Sequence, residues 1–100
     1  MNLKSTFIYV LRLVNSESPA KISPKEEAIV AEHFEYLKKA LAERKLLLAG
    51  RCLKAEFGIV IFDAESEKQA EEFMMNDPAV KKRVMTAELH PFRIALMKKS

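Results

Sequence analysis

The chain has 100 residues, 49% of them hydrophobic, and its 17 Lys and Arg against 14 Asp and Glu leave a net charge of +3. One core serves a chain of this length, so a single domain over residues 1–100 is expected, and two Gly and four Pro beside 31% charged residues exclude disordered and fibrous classes. A lone cysteine excludes an internal disulfide framework or clustered zinc site and points to a reducing, cytoplasmic setting.

Phe7 to Val14 is rich in β-branched and aromatic residues and reads as a strand, apolar on both faces apart from Arg12. That arginine, with no small-residue cleavage site after it, argues against a signal peptide or a membrane span. Asn15 to Ile22 reads as a loop. Ser23-Pro24-Lys25-Glu26 then combines a Ser N-cap, a proline at the first helical position and a glutamate that closes a capping box. A helix from Pro24 to about Arg44 follows. Ile29, Val30, Phe34, Tyr36, Leu37, Ala40 and Leu41 share its apolar face, and the charged residues lie opposite. His33 breaks that division, sitting in mid-face where the pattern asks for a leucine.

Leu46 to Gly50 and Phe57 to Phe62 read as a hairpin of two strands turning around Lys54-Ala55-Glu56. Ser66-Glu67-Lys68-Gln69 opens a second helix as another capping box, with Ala70, Phe73 and Met74 as its apolar stripe. The next stripe position is Asp77, and Asp77-Pro78 ends this helix while capping a further turn through Lys82. Val84 to Met97 reads as the last strand, with a bulge at Pro91 to explain a change of apolar phase.

The order β-α-β-β-α-β predicts an α+β, ferredoxin-like antiparallel sheet with both helices on one face. Strands apolar on both sides predict that the other face packs on a second copy, giving a homodimer joined sheet to sheet.

His33 and Asp77 are the candidate catalytic residues. Each is a polar group on the apolar stripe of its own helix, and the topology sets those helices side by side, so the two can satisfy each other. A carboxylate that fixes a histidine tautomer and stabilises its protonated form builds a general acid or base. The plainer roles are an N-cap for Asp77 and a hydrogen-bonded core position for His33. Arg51 directly after Gly50 is a candidate anion contact, because glycine admits a ligand close to the backbone and guanidinium pairs with carboxylate through two parallel bonds. Cys52 reads as a small buried residue within a strand, and His90 as structural or exposed. Two histidines without tight carboxylate spacing make no metal site, and no cofactor motif is present. Lys54 to Phe62 loosely echoes the RNP1 strand of RNA-binding RRM domains. It lacks the glycine after the basic residue and has Ile59 at a stacking position, so no nucleic-acid partner is expected.

The chain resembles the YCII-related (YciI-like) family of dimeric α+β barrel proteins. The resemblance rests on His33 within His-Phe-Glu-Tyr-Leu, Leu48-Ala49-Gly50, Ser66 to Glu71, Asn76-Asp77-Pro78-Ala79-Val80 and His90-Pro91-Phe92. It implies that His33 and Asp77 line a pocket as a catalytic pair acting on a small organic molecule. Arg51 stands where the family usually has proline, and Arg83 where it often has glycine. Members of the superfamily run several reactions, so the resemblance names a site rather than a reaction, and a non-catalytic ligand-binding or regulatory module stays open as the alternative.

Overall fold

The computed structural model describes residues 5–14, 23–54 and 56–98, and the expected loop over Asn15 to Ile22 lies outside them. Strands β1 (Ser5–Leu13), β2 (Leu46–Arg51), β3 (Gly58–Ala64) and β4 (Met85–Pro91) form one antiparallel sheet in the order β2-β3-β1-β4. Helix α1 (Pro24–Ala42) joins β1 to β2, and α2 (Glu67–Met75) with the single turn α3 (Pro78–Lys81) joins β3 to β4. This is the expected ferredoxin-like arrangement, with the helices on one face of the sheet.

Alternation along β1 builds the core. Phe7, Tyr9 and Leu11 are buried on the helix side with Leu46, Val60 and Phe62 of the neighbouring strands, beneath Leu37 and Ala40 of α1 and Ala70 and Met74 of α2. Cross-strand partners define the opposite face: Ile8 stands between Ile61 and His90, and Val10 between Ile59 and Glu88. That face is apolar along β3 and β1 and polar along β4.

The capping box of α1 forms in full, the Ser23 hydroxyl accepting from the Glu26 N–H at 3.1 Å and Glu26 accepting from the Ser23 N–H at 2.8 Å. In α2 only half of the expected box forms, because Gln69 accepts from the N–H of Glu65, not of Ser66. Helix α1 stops at Ala42, short of Arg44, in a Schellman turn: Lys45 N–H donates to Ala40, Arg44 N–H donates to Leu41, and Arg44 takes a left-handed φ of 65°. The same turn closes α3, with Val84 N–H on Ala79, Arg83 N–H on Val80 and Arg83 at φ 62°.

Two strand expectations are corrected. Strand β4 ends at Pro91 and carries no bulge there, since proline has no N–H for the ladder; the Phe92 N–H makes a last bond to the Thr6 carbonyl at 2.9 Å. The bulge lies instead in β2, where the register slips between Leu46 and Leu48. Leu46 pairs with Phe62 on the helix side, whereas Ala49 pairs with Val60 and Arg51 with Gly58 on that same side. Were β2 regular over the same six residues, Arg51 would face the other way.

Candidate functional site

Helix α1 buries Ile29, His33, Leu37 and Ala40 as one stripe, spaced by three and four residues. Phe34 and Leu41, expected on the same apolar face, flank this stripe and are 58% and 54% exposed. They border a cavity of about 850 Å³ that runs from α1 over the β2–β3 hairpin, walled also by Leu11 and Leu13 of β1 and Met85 of β4. His33, Gly50 and Arg51 all line it. Gly58, between Leu11 and Arg51 on the strand ladder, adds no side chain to this floor, and a Cβ there would lie 3.0 Å from the Gly50 carbonyl oxygen.

Behind the cavity wall the structure brings His33 and Asp77 together. Asp77 is fully buried and His33 only 9% exposed. The His33 Nδ1 lies 2.7 Å from Asp77 Oδ1 and 2.8 Å from Oδ2, and a carboxylate can only accept, so Nδ1 carries the hydrogen. Asp77 also accepts from the Tyr9 hydroxyl at 2.7 Å and from the Ala79 N–H at 3.0 Å. It is therefore the N-cap of α3 and the partner of His33 at once, and every buried polar side-chain atom among the described residues is satisfied. Asp77 takes no part in the cavity wall whereas His33 does. The imidazole thus lies between the buried carboxylate, which it meets through Nδ1, and the cavity that His33 lines.

Tyr9 is the member of this group that sequence reasoning missed. Its place in a regular strand hides it; the available signal is that a buried tyrosine hydroxyl needs a polar partner. Burial, then the charge of Asp77 and its hydrogen bond, push the Tyr9 phenol above its ordinary value of 10.0, so it stays protonated as a donor. Tyr36 stacks on Phe73 with ring centroids 5.1 Å apart and donates to the Phe73 carbonyl at 2.8 Å. Burial first, and the Asp77 charge second, push its phenol up to about 12. Glu32, beside His33, accepts from the Lys82 ammonium at 2.8 Å and so ties α1 to the end of α3.

The remaining candidates fall elsewhere. Cys52 is exposed beyond the end of β2 and not buried in a strand, because pairing stops at Arg51 and the chain turns. His90 is exposed on β4, 3.4 Å from Glu88. Among the described residues no three His, Cys, Asp or Glu side chains gather as metal ligands would, and no helix is long and apolar enough to cross a membrane.

Sheet order and helix placement are those of a ferredoxin-like α+β fold. The chain belongs to the YCII-related domain family, which it matches over residues 9–93. Muconolactone isomerase has a similar structure, with a TM-score of 0.69 and 16% identity over 95% of this chain and 96% of its own. The 5-chloro-2-hydroxyhydroquinone dehydrochlorinase TftG of Burkholderia phenoliruptrix AC1100, in complex with 2,5-dihydroxybenzoquinone, gives a TM-score of 0.59 and 20% identity over 87% of this chain and 93% of its own. A Bacteroides thetaiotaomicron protein of unknown function, described as a possible oxidoreductase, gives 0.55 and 9% identity over 92% and 98%. At these identities the likeness is one of fold. No curated protein matches the sequence.

Proposed function

We propose that the protein is an enzyme in which His33 carries out acid/base chemistry on a small organic substrate held in the cavity. The observation that carries this reading is the Asp77 carboxylate 2.7 Å from Nδ1 of a histidine that lines the cavity, an arrangement that supports Nε2 as the base. In the proposed step Nε2 takes a proton from the substrate and returns it at another atom of the substrate or to a leaving group. Asp77 stabilises the imidazolium formed between those events, and Tyr9 with the Ala79 N–H keeps the carboxylate in place. Arg51, with the uncrowded backbone of Gly50 beside it, contacts an anionic group of the substrate. The fold shared with an isomerase and a dehydrochlorinase supports small-molecule chemistry of this kind.

The working unit proposed is a homodimer in the cytoplasm, with the apolar patch of Ile8, Val10, Ile59 and Ile61 packed against a second copy. The lone cysteine fits that compartment.

Incubation in D2O with a panel of small carbonyl compounds and carboxylic acids, followed by proton NMR, tests the acid/base assignment. Deuterium incorporation that disappears in His33→Gln, while ligand-induced shifts persist, is the expected result. Exchange that survives in His33→Gln overturns it. Compounds that bind the wild-type protein without any exchange favour the non-catalytic binding module.

A further inference from the structure

The distribution of charge around the cavity specifies the substrate further. Lys38 of α1, Arg51 at the end of β2 and Lys54 in the turn that follows all line it, against Glu56 as the single acid among the described residues. None of the three cations is buried, and among the described residues their only acidic contact is the loose, exposed pair of Lys38 with Glu35 at 3.4 Å. Toward His33 the lining is apolar, with Val30 and Leu37 on α1 and Leu46 on β2. Lys38 lies over the Phe34 ring at 5.2 Å, which holds the ammonium on the cavity side of the helix. Lys38 lies five helical steps beyond His33, about 7.5 Å along the axis at about 1.5 Å per residue.

We propose that the cavity takes an amphiphilic carboxylate, its apolar body lying along α1 and its carboxylate held at the rim by Lys38, Arg51 and Lys54. This rests on the acid/base reading of His33 and adds to it a polarity and a length. The proton-exchanging carbon sits at the His33 end, and the carboxylate is set apart from it by an apolar spacer instead of being attached directly. A neutral ligand leaves the cationic rim without a partner, and a compact dianion leaves the apolar wall without one.

Binding of 4-phenylbutyrate and of its neutral amide, measured by NMR titration of the wild-type protein, tests the proposal. The carboxylate is expected to bind about tenfold tighter than the amide. That preference is expected to shrink from about 0.1 M to about 1 M salt, as the Debye length falls from about 10 Å to about 3 Å. In the double variant Arg51→Gln/Lys54→Gln, at exposed positions where folding is checked by circular dichroism, the preference falls toward one while amide binding is retained. Equal binding of acid and amide, binding of neither, or a preference unchanged in the double variant overturns the proposal. The readout is affinity and not turnover. Absence of the preference in the wild-type protein, with His33-dependent exchange intact, therefore removes only the carboxylate assignment, and a wild-type preference without exchange removes only the acid/base reading.

Discussion

Across 44 residues of sequence, the Nδ1–H of His33 reaches both oxygens of Asp77, at 2.7 and 2.8 Å, in a site where the carboxylate is fully buried and already holds two other donors. The pair closes the gap between α1 and α3 from the inside, as the exposed Glu32–Lys82 contact does from the outside. The inner contact is the costly one to break, because its groups cannot turn to water.

Asp77→Ala deprives three buried donors of their acceptor and is expected to cost about 3–5 kcal/mol in urea unfolding. His33→Leu leaves Asp77 with Tyr9 and Ala79 and costs less, about 1–3 kcal/mol. A double-mutant cycle over the two positions should give a coupling of about 1–3 kcal/mol. Additive losses would mean that the two side chains do not interact in solution.

Alkaline pH tests the two phenols, which are the only tyrosines of the chain. Both have folded values raised above the ordinary 10.0, Tyr36 to about 12 and Tyr9 further. A raised value means that the folded state binds the proton more tightly, so this contribution to stability is complete below pH 10 and is lost as pH climbs through the folded values. Tyrosinate absorbance at alkaline pH should lag behind that of a denatured control. Ionisation of both residues at the control midpoint, with the fold intact, would contradict the burial of Tyr9.

Arg83 and Arg44 hold left-handed backbone that glycine occupies without a Cβ clash. Arg83→Gly is expected to raise stability by up to about 1 kcal/mol, the αL cost of about 1–2 kcal/mol reduced by the added freedom of glycine in the unfolded chain. A shift of the urea midpoint to higher concentration, with an unchanged slope, is the signature. A lower midpoint would show that the arginine side chain contributes more than its backbone costs.

Val10→Asp places a charge in the middle of the free sheet face, opposite Ile59. Sedimentation equilibrium should find wild-type dimers and mutant monomers, with unfolding of the wild type dependent on protein concentration. A wild-type monomer at micromolar concentration would remove the proposed sheet-to-sheet dimer.

His33 and Asp77 were legible because they violate a periodic pattern that their neighbours obey, and Ser23 because its capping box is local. Tyr9 was not legible, since an aromatic residue in a strand satisfies every strand rule and its partner lies 68 residues away. Cys52 was misplaced because cysteine is usually buried and nothing in the sequence marks Arg51 as the last paired residue. The β2 bulge left no trace for a related reason. Three consecutive leucines, Leu46 to Leu48, present an apolar side chain to both faces in either register, so their identity carries no phase.

That bulge makes the arginine at the cavity a matter of strand register. Flattening the bulge with all six residues kept would draw β2 into regular alternation from Leu46, turning Leu48 and Gly50 toward the helices and Arg51 toward the opposite face of the sheet. No side chain near His33 would change, yet the cavity would exchange a cation for an apolar wall. Gain or loss of a bulge at constant length in this strand is thus a route by which proteins of this architecture can alter ligand charge preference while the buried pair stays as it is.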